Sequence, residues 1–373
     1  MNIIIAPDKF KGSLTSFETC QVIADGFKQA DSSAALSLFP VADGGDGFAQ
    51  VMKYYLGTDT VECKTVDPLE RNNNASYQWN ATKQIAIIEM AIASGLILLK
   101  DDERNPLKTS TYGTGLLIND AITKGAKQIV LGLGGSATND AGTGILSALG
   151  FKFIDANDKA LHARGENLLL IKRVIPPQVL PEVAFEIACD VQNTLYGPNG
   201  AAYVYARQKG ANDEAIKQLD DGLRNFATIL KQQTDLDVAV IPGAGAAGGI
   251  AAGLMAFFNV QLKSGIDIVL EASGLKNKIA GADLLVTGEG TIDEQTLSGK
   301  VVSELALLGY QHNVPVAAFC GTSELNSSLI NKLGVQYLTT LVSASVTKRE
   351  AIDNARQILR DKARDFLKQL IAK

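Results

Sequence analysis

The chain alternates between two spacings of apolar residues, one typical of strands and one typical of helices. Residues 2–6 form a short apolar run, and residues 16–30 then carry apolar side chains at helical intervals. Such a run predicts a buried strand, and the helical spacing predicts an amphipathic helix. Strand and helix patterns follow again at 35–41 and 47–56. This order favours a parallel sheet flanked by helices.

The middle of the chain has a different pattern. Residues 58–83 alternate in polarity, contain Asp67-Pro68 and place Tyr77 and Trp79 two positions apart, as antiparallel strands do. Later segments return to strands and helices in turn. The predicted strands lie at 85–90, 128–133, 183–188, 284–287, 314–319 and 337–341, and the predicted helices at 111–124, 140–149, 212–232, 300–308 and 348–370.

These patterns predict two α/β domains. No Ser/Gly-rich linker and no internal repeat marks a boundary, so we expect the division to be discontinuous. Residues 1–60 and 280–373 are predicted to form a doubly wound, Rossmann- or flavodoxin-like domain with a parallel sheet. Residues 61–279 are predicted to form an inserted mixed α/β domain. Ligands commonly bind in a cleft shared by two domains, and we expect that here.

Charge and composition exclude several classes of protein. The 373 residues carry a net charge of −5 without a Lys/Arg-rich run, which argues against non-specific binding of nucleic acid. The chain lacks the run of about 18 apolar residues that a membrane span needs. Its short N-terminal apolar run also lacks the features of a signal peptide. We therefore expect a cytoplasmic protein without nucleic-acid or membrane partners, and leave monomer and homodimer open.

The scarcity of histidine limits the possible chemistry. Only His162 and His312 occur, which excludes a multi-histidine metal site and leaves general-base work to a carboxylate. The four cysteines lie far apart in the sequence and form no CxxC pair. We expect them to be buried, reduced thiols.

Glycines cluster directly after the predicted strands, and these loops carry the candidate chemistry. The first loop, residues 7–15, leads from a strand into a helix. Backbone N–H groups and the helix dipole favour an anion at such a position, and Lys9 and Lys11 add positive charge. Alternatively, Ser13 or Thr15 serves only to cap the helix.

The second loop is Asp43-Gly44-Gly45-Asp46. Two carboxylates three residues apart, with glycines between them, suit a hard cation or a hydroxyl group that needs a base. A tight turn with two solvated aspartates is the alternative. The residues alone do not separate these two interpretations.

A third loop, residues 288–300, follows a predicted strand and combines carboxylates with a lysine. Its charged candidates are Glu289, Asp293 and Lys300. The chain contains no G-x-x-x-x-G-K-[ST] motif, so this is not a Walker-type phosphate loop. The motifs of protein kinases are absent as well.

Two further loops are rich in glycine. Residues 132–142 read GLGGSATNDAG, in which glycines allow a phosphate close to the backbone and polar side chains supply donors. A polar turn with an Asn or Asp cap is the alternative.

The other loop, GAGAAG, has Gly243, Gly245 and Gly248 at G-x-G-x-x-G spacing, with Asp267 at the distance of a ribose-binding carboxylate. Close helix packing explains this loop equally well.

Together these loops contain hydrogen-bond donors for phosphate, lysines and carboxylates, which are the groups that phosphoryl transfer needs. Donors and lysines offset the charge on the transferred group, carboxylates hold Mg²⁺, and one carboxylate accepts the proton of the attacking hydroxyl. An NAD(P)-dependent oxidoreductase of a small hydroxy acid is the alternative, but it would leave all loops except GAGAAG without a role. A non-catalytic sensor of a hydroxy acid is a third interpretation.

Six segments resemble the bacterial, type-1 glycerate kinase family, in order and at the family's spacing. They are APDKFKGSLT, PVADGGDG, GLGGSATNDAGTG, ACDVQNTLYGPNGAA, PGAGAAGG and VTGEGTIDEQTLSGK. The resemblance covers essentially the whole chain. It implies phosphorylation of D-glycerate by ATP with magnesium (Mg²⁺), to 2-phosphoglycerate or 3-phosphoglycerate. It also implies a doubly wound domain built from both termini and an inserted α/β domain.

Specific roles are assigned as hypotheses. Asp190 ends a predicted strand and is the expected base, with Asp43 as second candidate; an Asp190 that only caps a turn is the alternative. The remaining candidates are Lys9 in catalysis, Lys11, Ser13 and Asn193 in glycerate binding, Gly134, Gly135, Ser136, Asn139 and Lys300 in binding the ATP phosphates, and Asp46, Glu289 and Asp293 in binding Mg²⁺.

Overall fold

The chain folds into two compact units. The computed structural model of the protein describes residues 1–372, the side chain of Ser298 excepted. The first unit combines Met1–Asp43 with the chain from Ser264 onward, and the second unit is Gly44–Lys263. The boundaries predicted from the sequence, after residues 60 and 279, both lie closer to the C-terminus than the observed ones, after Asp43 and Lys263.

Within residues 1–372 the strands pair into three sheets. In chain order the strands are β1 (Asn2–Ile5), β2 (Ala35–Leu38), β3 (Asp59–Val66), β4 (Asn72–Asn80), β5 (Ile85–Glu89), β6 (Gln128–Gly132), β7 (Lys152–Ile154), β8 (Ala160–Leu161), β9 (Arg173–Ile175), β10 (Ala184–Ala188), β11 (Asn259–Lys263), β12 (Leu284–Ile292), β13 (Val316–Ser323) and β14 (Tyr337–Thr340).

Helices connect most of these strands. They are α1 (Ser16–Ala30), α2 (Phe48–Leu56), α3 (Ala91–Ser94), α4 (Tyr112–Thr123), α5 (Thr143–Ala148), α6 (Ala201–Tyr205), α7 (Asp213–Thr234), α8 (Ile250–Met255), α9 (Gly265–Ser273), α10 (Leu275–Lys278), α11 (Val301–His312), α12 (Ser327–Lys332), α13 (Lys348–Asp353) and α14 (Ala355–Ile371). Short 3₁₀ helices lie at Leu96–Leu98, Asp101–Glu103, Gly165–Leu170, Arg207–Lys209, Val238–Val240, Ala246–Gly248 and Glu294–Ser298.

The first unit is a doubly wound α/β domain, as the sequence predicted. Its sheet is parallel throughout and has the order β14-β13-β12-β1-β2. Numbered within the unit, this is the flavodoxin-like order 2-1-3-4-5. The strand order reverses between β1 and β12, and ligands of such folds bind beyond the carboxyl ends of the strands at this reversal.

Helices cover both faces of this sheet because apolar residues line both faces of its central strand. Leu284 and Val286 of β12 lie in one core with Phe27 of α1 and residues of α14. Leu285 faces the opposite side, where a Cβ atom at Gly309 of α11 would lie 3.8 Å from its Cδ2 atom. Each such buried side chain contributes roughly 1.5–3 kcal/mol to folding.

The second unit contains a mixed sheet in the order β11-β10-β6-β5-β4-β3. The pair β3 and β4 is antiparallel, as the alternation of residues 58–83 predicted, whereas β5, β6, β10 and β11 are parallel. Register aligns Glu89, Gly132, Ala188 and Lys263 across these four strands. The loops that follow the four strands therefore begin side by side at one edge of the sheet.

Some elements of the second unit differ from the sequence prediction. Strand β11 and the small antiparallel sheet β8-β7-β9 were not predicted. The strands of the small sheet have only two or three residues, too few for the spacing of apolar residues to be distinctive. The predicted helix 140–149 begins at Thr143 instead. Within residues 1–372, no helix has the length and apolar character that a bilayer crossing needs.

Candidate active site

The loop after β1 holds a buried carboxylate. The backbone continues to pair with β12, where Ala6 N donates to Val286 O at 2.7 Å and Asp8 N donates to Gly288 O at 2.8 Å. The Asp8 residue is 6% exposed, and its Oδ1 atom accepts the N–H of Lys9 at 2.6 Å. Asp8 is therefore fixed at the point where the strand order reverses. Asp8 was not among the residues singled out from the sequence, although its position directly after the strand was a usable signal.

A second carboxylate, Glu289, lies on β12 in the same unit. Its Oε1 atom accepts the hydroxyl of Thr296 at 2.8 Å. Burial raises the pKa of Glu289 to about 7, and the negative charge of Asp8 adds to the rise while Lys300 opposes it. Burial also raises the pKa of Asp8 to about 7, against the positive charge of Lys9. Both carboxyl groups would be stabilised in their ionised form by a cation.

The carboxylates of Asp8 and Glu289 limit what kind of metal ion the first unit could hold. Among the described side chains, no three of Asp, Glu, His and Cys are grouped to hold a metal. A site made entirely of protein ligands is therefore not formed by them. Mg²⁺ commonly takes only one or two carboxylates and completes its shell with water and substrate phosphates. Asp8 and Glu289 fit that arrangement.

The other charged candidates of the first unit have partners of their own. Lys9 Nζ lies 3.7 Å from Asp43 Oδ1, so the structure brings these two candidates together. Lys300 Nζ donates to Gln295 Oε1 at 2.9 Å. Asp293 Oδ1 accepts the N–H of Gln295 at 2.9 Å and caps the 3₁₀ helix that follows. The carboxylate of Asp293 is therefore already engaged by backbone.

The first loop shows which of its residues caps α1. Thr15 Oγ1 accepts the N–H of Glu18 at 3.2 Å, and the Glu18 carboxylate accepts the N–H of Thr15 at 3.0 Å. This reciprocal pair is a capping box. Ser13 instead donates its hydroxyl to Phe10 O at 3.0 Å, and Lys11 is exposed. The capping alternative thus describes Thr15, while Ser13 stabilises the turn inside the loop.

Two glycine-rich loops of the second unit pack against each other. A Cβ atom at Gly134 would lie 2.7 Å from Gly45 Cα, and one at Gly132 would lie 2.8 Å from Gly44 O. Neither position has room for a side chain, which explains the glycines. Asp46 follows this contact and is exposed. The structure therefore brings together two loops that were singled out separately in the sequence.

A buried lysine holds the glycine-rich loop after β6. Lys209 is 1% exposed, and its ammonium donates to Ser136 Oγ and to Thr138 O, both at 2.7 Å. Burial lowers the pKa of Lys209 to about 7, and the negative charge of Asp140 opposes the fall. Lys209 was not predicted from the sequence, because nothing in its local pattern distinguishes it from a surface lysine.

Polar atoms beside this lysine lack protein partners. Thr138 Oγ1 and both polar atoms of the Asn139 amide are buried and make no hydrogen bond to the described part of the chain. A buried polar group without a partner costs about 1–3 kcal/mol. Such groups indicate that ordered water or a ligand completes this loop. Asn139 was a candidate for direct phosphate binding, and that role stays a prediction, since its side chain is buried and both polar atoms of its amide lack a protein partner.

Asp140 stabilises the turn that leads into α5. Its carboxylate accepts the N–H groups of Thr111, Gly142 and Gly144 and the hydroxyl of Thr111, at 2.8–3.2 Å. Burial raises the pKa of Asp140, and these hydrogen bonds oppose the rise. This turn occupies the residues before Thr143, which explains why the helix begins later than predicted.

Asp190 follows β10 at the carboxyl edge of the mixed sheet. It lies two residues beyond Ala188, which pairs with Gly132, so its loop begins beside the glycine-rich loop. The residue is half-buried. Glu89 lies at the same edge and accepts the N–H of Ala49 at 2.7 Å, near the start of α2. Glu89 was not singled out from the sequence, since it ends an ordinary apolar strand.

Asn193 shapes the loop in which it lies. Its Nδ2 atom donates to Asn199 O at 2.8 Å, and its Oδ1 atom accepts the hydroxyl of Tyr205 at 2.6 Å. Gly245 N also donates to Asn193 O at 3.0 Å. Both ends of the amide therefore have protein partners, and the glycerate-binding role predicted for Asn193 remains a hypothesis.

The GAGAAG segment packs against backbone. The residues before it form the 3₁₀ helix Val238–Val240, whereas a dinucleotide fingerprint follows a strand. A Cβ atom would lie 2.2 Å from Thr194 O at Gly245, and 2.3 Å from Thr138 O at Gly248. These glycines allow loops to approach each other closely, which is the packing alternative.

The other members of that pattern also have structural roles. Asp267 accepts the hydroxyl of Ser264 and the ammonium of Lys276, both at 2.9 Å. Gly243 has φ +85°, and a Cβ atom there would lie 2.8 Å from Leu262 Cδ1. The oxidoreductase alternative is therefore not favoured.

Comparison with known proteins gives the family. The model of the glycerate kinase family matches residues 3–371. The chain is 40% identical to a glycerate kinase of Halalkalibacterium halodurans, over 98% of this chain and 97% of the relative. It is 38% identical to the glycerate 2-kinase of Escherichia coli, over 95% of this chain and 94% of the relative. A solved structure named as a glycerate kinase 2 of Salmonella typhimurium has a TM-score of 0.88 at 37% identity, covering 100% of this chain and 98% of that chain. The chain therefore belongs to the glycerate kinase family and is a phosphotransferase that acts on an alcohol group.

Proposed function

We propose that this chain transfers the terminal phosphoryl group of ATP to D-glycerate, with Mg²⁺ as the metal ion, and forms 2-phosphoglycerate. The observation that carries the proposal is the glycine-rich loop after β6, where a buried ammonium group bonds Ser136 and Thr138. The relative named glycerate 2-kinase supports the 2-hydroxyl as the acceptor.

The ATP phosphates are assigned to this loop of the second unit. Gly134, which packs against Gly45, and Gly135 would offer their backbone N–H groups to a phosphate, and Gly135 has φ +74°, a conformation that exposes successive N–H groups. Ser136 adds a hydroxyl donor. Donors and a nearby positive charge offset the negative charge of the phosphates, most strongly where water is excluded.

Mg²⁺ is assigned to Glu289 together with Asp8. Bound Mg²⁺ would neutralise charge on the phosphates. Asp46 and Asp293 remain weaker candidates, because Asp46 is exposed and Asp293 caps a helix. Lys300, whose charge acts on both buried carboxyl groups, is assigned to the transferred phosphoryl group.

The metal assignment is tested by thermal unfolding. Adding Mg²⁺ in the presence of ADP should raise the melting temperature of the wild type more than that of Glu289→Gln. The exposed neighbour Glu294 supplies the control, since Glu294→Gln should respond as the wild type does. An equal response of Glu289→Gln and the wild type would remove Glu289 from the metal site.

The glycerate carboxylate is assigned to Lys9 and Lys11, and the proton of its 2-hydroxyl to Asp190. A carboxylate base contributes about 10²–10⁴-fold to such a reaction, so Asp190→Asn should lower kcat by that factor with folding retained. Asp102→Asn, at an exposed position of the same unit, is the matched control. Near-normal turnover of Asp190→Asn would exclude Asp190 as the base and leave Asp43.

The deciding experiment is ³¹P NMR of a reaction with ATP, Mg²⁺ and D-glycerate. The proposal expects ADP and the resonance of 2-phosphoglycerate in equal amounts. The resonance of 3-phosphoglycerate in its place would correct the position of transfer. Absence of any phosphate ester, with enzyme shown to be folded, would refute glycerate as the acceptor.

A further inference from the structure

The geometry points to Lys209 as a positioning residue for the nucleotide: its buried ammonium fixes the Ser136 hydroxyl as a hydrogen-bond donor to a phosphoryl oxygen. The two residues lie 73 positions apart in the sequence and are joined by a 2.7 Å hydrogen bond. This inference rests on the proposed function, since it takes the loop after β6 as the phosphate site. It adds a residue that would control ATP binding without touching ATP.

The direction of the hydrogen bond follows from the chemistry of the two groups. An ammonium group can only donate, so Ser136 Oγ is the acceptor. The one hydroxyl hydrogen of Ser136 then remains for another acceptor. Within the described part of the chain, Ser136 Oγ takes part in no other hydrogen bond than the one that Lys209 donates. Ser136 is 7% exposed, and a phosphoryl oxygen, which only accepts, is the complementary group.

The charge of Lys209 also strengthens that donor. Hydrogen bonds polarise one another in a chain, and a charged first donor makes the next O–H a better donor. The second bond of Lys209, to Thr138 O at 2.7 Å, holds the backbone of the same loop. Lys209 therefore acts on both the orientation of Ser136 and the shape of the loop.

The local fold keeps Lys209 in this position. Lys209 N donates to Ala206 O at 3.0 Å, and the 3₁₀ helix ends at Gly210 with φ +96°. A Cβ atom at Gly210 would lie 2.1 Å from Arg104 O, so this tight turn requires glycine. A buried ammonium is costly to remove from water, and apolar residues often fill such sites with equal or greater stability. Filling this space would therefore not call for lysine, and what the lysine adds is its hydrogen bonds to Ser136 and Thr138.

The test is a double-mutant cycle on ADP binding, measured by calorimetry at pH 6, where the amine of Lys209 is protonated. Lys209→Met and Ser136→Ala should each weaken ADP binding by about 10-fold, the effect of one charge-assisted hydrogen bond. In steady-state assays they should raise KM for ATP and leave KM for glycerate unchanged. If Lys209 acts through Ser136, the double variant should be no weaker than the weaker single variant. Ser136→Thr, which keeps the hydroxyl, should retain most of the affinity.

The controls separate this inference from the proposed function. Lys152→Met, at an exposed position of the same unit, should bind ADP as the wild type does. A wild type that does not bind ADP overturns both proposals. If Lys209→Met binds ADP as well as the wild type does, the role of Lys209 is overturned while the proposed function stands. The same holds if the double variant loses about 100-fold in affinity for ADP. If Lys209→Met does not fold, undiminished ADP binding by Ser136→Ala overturns the inference.

Discussion

Lys209 gives a prediction about stability that is independent of any ligand. Its amine has an ordinary pKa of 10.5, and burial lowers the pKa to about 7 in the folded chain. Between these two values the unfolded chain carries a proton on this amine that the folded chain lacks. The free energy of unfolding rises with pH wherever the unfolded state binds more protons than the folded state. It therefore rises with pH between about 7 and about 10.5. Lys209→Met removes the titrating group and with it this contribution.

The size of the effect follows from the two pKa values. Each unit of pKa difference corresponds to about 1.4 kcal/mol, so the whole window is worth about 5 kcal/mol. Between pH 7 and pH 9, where the folded amine completes its deprotonation, the linkage relation gives about 2 kcal/mol. The free energy of unfolding of the wild type should therefore gain about 2 kcal/mol relative to Lys209→Met over this interval.

Urea unfolding followed by tryptophan fluorescence measures this difference. Trp79 is the one tryptophan of the chain, and it lies on β4 in the same unit as Lys209. Wild type, Lys209→Met and the exposed control Lys152→Met are compared at pH 7 and pH 9. Only Lys209→Met should lack the gain. An identical pH dependence in the wild type and Lys209→Met would refute the burial argument, because the amine would then titrate as it does in water.

Further substitutions test separate parts of the structure. Gly253→Ala should lower the unfolding free energy by about 1–3 kcal/mol in the same urea assay, because a Cβ atom there would lie 2.0 Å from Ala141 O; unchanged stability would show that the loop yields. Thr15→Ala should lower the unfolding free energy by about 1 kcal/mol in thermal unfolding through loss of the helix cap, and Ser13→Ala should lower it less. Equal decreases in the two variants would show that the cap does not stabilise α1. The pKa of Glu289 is raised from 4.5 to about 7, so without metal its contribution to stability falls as pH rises between those values. Glu289→Gln should flatten that fall in circular dichroism melts with EDTA at pH 5 and pH 7, and an unchanged fall would contradict the shift.

The fold class could be predicted from the sequence because the strands of the first unit and its helices α1 and α11 have clear local patterns, although α9, α10 and α12 were not predicted. The apolar runs that became β1 and β12 lie at opposite ends of the chain, and each precedes a helical pattern. Their pairing, with Ile3 opposite Leu284, could not be predicted in the same way. Strand order depends on which surfaces pack together, and local spacing does not record that. The reversal between β1 and β12, which locates Asp8, was therefore known only from the structure.

The candidate site was predictable in its loops and not in its long-range partners. The loop with glycines after a clear strand was identified for Gly134. Glu289 was also assigned to such a loop, but it lies within β12, which continues to Ile292. The contact between Lys209 and Ser136 joins segments that each look ordinary in the sequence. Charge and burial are properties of the assembled core, so a lysine that ends inside it resembles any other lysine in the text.

The two glycine-rich segments of the second unit show what decides between phosphate binding and packing. In both, glycines stand where a side chain would collide with backbone: Gly134 lies against Gly45, and Gly248 against Thr138. Spacing of glycines therefore reports close approach of backbone, and by itself it does not say whether the approaching group belongs to a ligand or to the protein. The residue that separates the two cases is Lys209: besides holding the backbone at Thr138 O, its buried ammonium bonds the Ser136 hydroxyl and leaves the hydrogen of that hydroxyl for an anion, which backbone packing alone does not require. A glycine pattern becomes evidence for a phosphate site when such a cation supports its donors.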